Sequence, residues 1–341
     1  MFHRFKAKIS RRPASPGRSE NASASASLNA SLSAQTTEPT QPRTKKYGLF
    51  KLAERQPDPS EPETYPVDII AVHGLNGDAY STWTHSSTGV LWLRDFLPSF
   101  LPGCRVYTYG YPSKLFCKVS HACVEDFGRG LLASVRDHLE DSPTGTRRII
   151  FVCHSLGGIV CKQALVVAHE KDNIYGAVLK SIIGVVFLAT PHAGSGGANL
   201  ANVFLTIANT FRSTATAGRR PRVARTELLN YLSRNSDDLQ ELFVSVQHQL
   251  QNLSVVSFYE TQATAPLSHL ANIGVNFLVV NRASAQLGLS NEDPIPLPED
   301  HRSICRFASE TSSSYIAVVN ALRKIARQSL GVDLALRRVS T

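Results

Sequence analysis

Ile149-Ile150-Phe151-Val152-Cys153-His154-Ser155-Leu156-Gly157-Gly158-Ile159-Val160 is the stretch that decides the fold, because in it a short apolar run turns into a helical pattern at a serine. Ile149 to Val152, bounded by Arg147-Arg148, reads as a central parallel strand covered on both faces. Downstream, Ile159, Val160, Gln163, Ala164, Val167 and Ala168 follow helical spacing. A serine between such elements sits on a tight turn that lifts its hydroxyl off the sheet edge. Small residues must flank it, because helix and strand backbones pass close together there. Gly157 meets that need, and Ser155 is the candidate nucleophile. The usual pattern is G-x-S-x-G, and Cys153 replaces its first glycine. A small cysteine still lets the turn close with slight crowding, so Cys153→Gly is expected to retain or raise activity.

Working outward, strands and helices alternate from Tyr47 onward. Tyr47 to Ala53, Val67 to Val72, Cys104 to Tyr109, Ile182 to Ala189, Leu253 to Phe258 and Val275 to Val280 are β-rich runs. Leu91 to Phe100 and the Val124, Phe127, Leu131, Leu132, Val135, Leu139 series are helical, and the last helix is expected over Tyr315 to Ala326. Strands spaced by helices specify an α/β fold, a mostly parallel central sheet with helices on both faces. Active sites of such sheets lie at the carboxyl ends of the strands. Between the Ile182 and Leu253 runs comes a long helical insertion or lid, residues 193–250, placed after the sixth core strand. It carries an apolar stripe (Leu200, Val203, Phe204, Ile207, Phe211) followed by Arg212, Arg219, Arg220, Arg222 and Arg225. Such a stripe is more often core, and such an arginine cluster a solvated loop.

With 341 residues, 43% hydrophobic and 18% charged, the chain is long enough for one large α/β domain plus appendages. The domain is expected over 47–328, with a C-terminal tail at 329–341. The net charge of +9 is concentrated in residues 1–51, which hold ten Lys or Arg against Glu20 and Glu38. The folded body is therefore nearly neutral, and nucleic-acid binding is disfavoured, because the basic tail lacks interleaved aromatic platforms. Residues 1–46 are rich in Ser, Ala, Asn and Pro and are expected to be a disordered arm. Phe2, Phe5 and Ile9 share one helical face opposite Arg4, Lys8 and Arg11, with no acid before Glu20. Such a start is similar to a mitochondrial transit peptide; a solvated basic tail on a cytosolic protein is the plainer reading.

Six cysteines (104, 117, 123, 153, 161 and 305) without a secretory h-region read as free thiols of an intracellular, unsecreted protein, with Cys153 and Cys161 buried beside the serine turn. Their spacing does not suggest zinc, and neither metal nor cofactor is expected. The longest apolar stretches are far short of the roughly 18 residues that span a bilayer.

A serine hydroxyl is a weak nucleophile unless a histidine takes its proton, and the imidazole needs a carboxylate to hold its tautomer. On this fold the order along the chain is Ser, acid, His. His301, in the loop after the last strand, is the best base. His169 and His192 come too early, His248 lies in the insertion, and His269 precedes the last strand. Glu260 ends the preceding strand, where an acid should be. Asp300 is adjacent to His301, and consecutive residues rarely aim carboxylate at imidazole. Asp293 lies in Asn291-Glu292-Asp293-Pro294, a mobile-looking segment. Oxyanion donors are expected from the Leu156 N–H and from the loop His73-Gly74-Leu75-Asn76, at Leu75. His73 and His154, both locked beside turns, read as structural.

The blocks Val67 to Leu75, Val152 to Gly158, Leu188 to His192 and Asp300-His301 resemble the serine-active-site-containing, lipase-like hydrolases, a family of serine esterases. That family includes fungal domains that stand alone or precede nucleotide-binding signalling modules. The resemblance spans about Tyr47 to Ile325. It implies an α/β-hydrolase fold, Ser155, Glu260 and His301 as a triad, ester or lipid substrates, and a place in lipid metabolism at mitochondria or the endoplasmic reticulum, with peripheral membrane contact. The chain therefore reads as a carboxylic ester hydrolase. The competing expectation is a catalytically weak hydrolase-fold module that senses a ligand or signals.

Overall fold

The computed structural model describes residues 46–56, 60, 63–113, 121–142, 147–192, 207, 236–264 and 278–339. Residues 1–45, Cys117, His269 and most of the insertion, with its arginines and all of its apolar stripe except the buried Ile207, lie outside them.

Among the described residues, seven strands form one sheet: β1 (Gly48–Glu54), β2 (Val67–Val72), β3 (Arg105–Gly110), β4 (Arg148–His154), β5 (Ile182–Leu188), β6 (Ser254–Glu260) and β7 (Glu292–Leu297). Their order is β1-β3-β2-β4-β5-β6-β7, and only the β1–β3 pair is antiparallel. The helices are α1 (Trp92–Asp95), α2 (Leu97–Phe100), α3 (His121–Glu140), α4 (Leu156–Glu170), α5 (Asp172–Ser181), α6 (Ser236–Gln251) and α7 (Ser313–Val339).

The all-apolar strands are explained by cover on both sides. In β4, Ile149, Phe151 and Cys153 face a core shared with Leu131 and Val135 of α3, Ile159 and Val160 of α4 and Leu242 and Val246 of α6. Ile150 and Val152 face the opposite core, built with Trp92 of α1, Leu97 of α2 and Tyr315, Val318 and Leu322 of α7. At about 1.5–3 kcal/mol for each fully buried Val, Leu, Ile or Phe side chain, this two-sided packing fixes the strand's register, because a one-residue slip exchanges the two faces.

Strand β3 lies on one side of β2 and β4 on the other. The order therefore reverses at β2, and the loops that leave β2 and β4 at their carboxyl ends border the crevice where such sheets bind ligands. One of those loops is His73–Asp78, and the other is the turn at Ser155. Parallel sheet, two-sided helical cover and a strand–serine–helix turn together make this the α/β-hydrolase fold.

Four expectations are corrected. Of the expected Val275–Val280 strand, residues 278–280 are not strand and 275–277 lie outside the described residues; among the described residues the last strand is Glu292–Leu297, which includes Glu292-Asp293-Pro294 of the segment read as mobile. Pro294 and Pro296 hid it: two residues apart on an edge strand, both turn their missing N–H toward the open side, where no ladder needs a donor. The insertion follows the fifth strand in chain order, not the sixth. The helix at Leu91–Phe100 is two short ones, separated at Phe96. Residues 329–339, assigned to a tail, continue α7.

Candidate active site

Ser155 joins β4 to α4 with φ 52° and ψ −120°, a left-handed conformation costly for a residue with a Cβ. Two hydrogen bonds hold it there: the Ser155 N–H donates to the Leu188 carbonyl at 3.0 Å, and the Gly158 N–H donates to the Ser155 carbonyl at 3.0 Å. Gly157 is required by close approach, since a Cβ there would overlap the carbonyl oxygens of Val72 and His73. The helix thus presses onto the end of β2, and the strained serine is pushed above the sheet edge.

The Ser155 hydroxyl donates to His301 Nε2 at 3.1 Å, and His301 Nδ1–H donates to Glu260 Oε2 at 3.0 Å. All three side chains are buried, with 0%, 0% and 1% exposure in the order Ser155, His301, Glu260. Sheet register explains the meeting. Glu260 pairs with Leu297 at the ends of β6 and β7, and the chain reaches His301 four residues later. The second carboxylate oxygen, Oε1, accepts the Val280 N–H at 2.7 Å, which fixes the plane of the acid.

The other candidates are placed elsewhere. Asp300 turns back on its own loop, its Oδ1 accepting the N–H groups of Arg302 and Ser303 at 2.8 Å each. Asp293 lies on β7 and faces Lys324 at 3.4 Å at the surface. His169 and His248 are exposed.

The loop after β2 is pinned against the serine turn. A Cβ added to Gly74 would lie 2.9 Å from Ser155 Cβ and 3.0 Å from the His154 carbonyl oxygen, so the loop backbone touches the turn. His73 Nδ1–H donates to the Gly74 carbonyl at 3.0 Å, and its Nε2 accepts the Tyr111 N–H at 3.2 Å. The Tyr111 hydroxyl donates to the His73 carbonyl at 2.7 Å, and the rings stack at 4.3 Å. Burial pushes the His73 imidazole down to about 4, so it stays neutral. Asn76, at φ 57°, donates its N–H to the Ser113 carbonyl at 3.0 Å. Leu75 lies within this held turn, and Leu156 opens α4 directly after Ser155, where first-turn N–H groups have no intrahelical acceptor.

Cys153 takes no positive φ beside the turn. It is an ordinary buried strand residue whose thiol meets Cys161, and burial first, then Cys161, pushes its pKa well up.

Sequence reasoning also passed over Lys162, and it considered His192 only to set it aside as a base. Lys162, on the α4 face toward α6, is fully buried, with Nζ 2.5 Å from His192 Nδ1 and 4.1 Å from the centre of the Phe243 ring. Burial pushes the Lys162 amine well below its usual value, and burial and the neighbouring amine lower His192. A lysine embedded in helical spacing gives no sequence signal of burial. Val280 was read only as the end of a β-rich run, although its N–H donates to Glu260 Oε1.

Residues 69–259, more than half of the chain, match the family described as "Putative serine esterase (DUF676)". The chain belongs to that family. The stretch matched to this serine esterase family contains Ser155, Leu75 and Leu156; Glu260 lies one residue beyond it and His301 further on. Protein SERAC1 of Danio rerio is 27% identical over 262 residues, covering 70% of this chain and 36% of that protein. Protein SERAC1 of Homo sapiens is 24% identical over 286 residues, covering 77% and 39%. The chain thus spans little more than a third of the length of the curated relatives it matches. Among solved structures, the mature form of Bacillus licheniformis lipase BlEst2 is similar at 19% identity and a TM-score of 0.49, with 80% of this chain and 97% of that chain covered. No helix among the described residues is long and apolar enough to cross a membrane.

Proposed function

We propose that this member of the serine esterase family hydrolyses carboxylic esters, lipid acyl esters above all, through Ser155, His301 and Glu260. The observation that carries the reading is the continuous relay from the Ser155 hydroxyl to His301 Nε2 at 3.1 Å and from His301 Nδ1 to Glu260 at 3.0 Å, on a strained serine turn. In the first half-reaction Ser155 Oγ attacks the ester carbonyl while His301 Nε2 takes its proton. Glu260 holds the Nδ1–H tautomer and stabilises the imidazolium. The tetrahedral oxyanion is met by the N–H groups of Leu156 and Leu75, which are preorganised by the α4 start and the clamped β2 loop. Collapse expels the alcohol, protonated by His301, and leaves an acyl group on Ser155. Water, activated by His301, then releases the acid.

A fluorophosphonate probe tests the reading. It should label the wild type at Ser155, and Ser155→Ala should lose both labelling and ester turnover while keeping its unfolding midpoint. An unlabelled, well-folded wild type would replace hydrolysis by ligand sensing. The basic, acid-poor start supports delivery to mitochondria. A fluorescent protein carrying residues 1–46 should co-localise with a mitochondrial dye, and a diffuse signal would remove that assignment.

A further inference from the structure

His154 stands directly before the nucleophile as the last residue of β4, and strand alternation puts it on the same face as Ile150 and Val152. That face is covered by the loop bearing His301. The His154 Nε2–H donates to the His301 main-chain carbonyl at 2.9 Å, and the two rings lie 5.2 Å apart at 45°. The His154 side of the loop is matched by a second tether, since the His301 N–H donates to Thr264 Oγ1 at 3.1 Å. His301, Thr264 and His154 are 0%, 0% and 3% exposed.

We propose that His154 is a positioning residue for the base: it grips the His301 backbone so that the imidazole spans the gap between Ser155 and Glu260. The inference rests on the triad reading above. It assigns the strand that delivers the nucleophile a second task, locating the base. Position 154 is otherwise an interior site on a face of apolar residues, where a buried imidazole carries a desolvation cost that a hydrocarbon would not. His154 Nδ1 is buried without a hydrogen-bond partner among the described residues, so the ring is kept for its one donor. Burial, then the neighbouring His301, lowers the His154 pKa well below the usual value. The ring therefore stays neutral beside a base that becomes an imidazolium twice per cycle; a second cation 5.2 Å away would oppose that charge.

The test compares three full-length proteins. His154→Gln keeps a side-chain N–H near the Nε2 position, whereas His154→Phe fills the space without a donor. His154→Met is the second donor-free variant if the phenylalanine does not fold. On a short-chain aryl ester the donor-free variant should lose kcat by about tenfold to a hundredfold, as for a reacting group displaced by about an ångström, with KM changed less than twofold. His154→Gln should recover most of that loss. Amide hydrogen exchange of residues 299–304 should quicken in the donor-free variant and return toward wild type in His154→Gln. Equal turnover and equal exchange in both variants would overturn the proposal. Exchange also separates it from the triad reading: if Ser155→Ala keeps wild-type turnover, the triad fails, while loop exchange still reports whether His154 holds His301.

Discussion

Glu260 and Leu297 are register partners at the carboxyl ends of β6 and β7, so the acid projects from a rigid strand end directly beneath the loop that returns with His301. Neither aspartate candidate has such a mount: Asp300 is consumed by its own turn and Asp293 points at Lys324.

Glu260→Gln should therefore lower turnover of a short-chain aryl ester by a factor on the order of a thousand or more, because an amide keeps the shape but favours the wrong imidazole tautomer. Asp293→Asn and Asp300→Asn should each cost about tenfold or less, as for residues outside the relay. Steady-state rates of the three variants decide the assignment, and a collapse in either aspartate variant beside a near-normal Glu260→Gln would reverse it.

Cys153→Gly should leave turnover within about threefold and lower stability by about 1–2 kcal/mol, from a lost buried side chain and the entropy of glycine in a strand. Urea unfolding and ester kinetics on the same preparation check both halves. A gain in stability would show that the thiol strains the turn after all.

Acid should destabilise the fold in two steps. A buried imidazole held neutral binds its proton only after unfolding. The His73 shift from 6.5 to about 4 therefore removes about 3 kcal/mol of stability as the pH falls from 6.5 to 4, and nothing more from this group below that. His154 and His192, also lowered by burial, act in the same direction. The second step belongs to Asp68, buried among Arg105, Arg147 and His138. Burial raises its pKa, but the hydrogen bonds from His138 and Arg105 outweigh that and hold it below 3.8. Its stabilisation is present above that value and lost as the pH falls beneath it. Urea midpoints across the acid range should trace both steps, and a flat profile between pH 6.5 and 4.5 would contradict the first.

Lys162→Met should flatten the pH dependence of stability on the alkaline side. The wild-type amine is held below its usual 10.5 by burial, so the unfolded chain binds the extra proton and stability rises with pH toward that value. With methionine the group is absent and the rise goes with it. Urea unfolding of both proteins between pH 7 and 10 measures the difference; parallel profiles would mean that the amine stays charged in the fold.

The strand, the serine turn and the helix were legible in residues 149–160 because local pattern dictates them: an apolar run of strand length, a serine, two glycines, then helical spacing. Chain order similarly pointed to Glu260 and His301, as residues at successive strand ends. What the sequence could not determine depends on which backbones become neighbours. Strand β7 was masked by two prolines that an edge position tolerates, and Val280, remote in sequence, supplies the N–H that orients the acid. Lys162 looks solvated by residue type, yet α6 and the loop carrying His192 close over it. His154 shows the division within a single residue. Strand alternation fixes the face it occupies, but only the return of the chain after β7 brings the His301 carbonyl within 2.9 Å of its Nε2. Periodicity encodes which side of the sheet a residue faces, whereas its hydrogen-bond partner across 147 positions is set by tertiary packing.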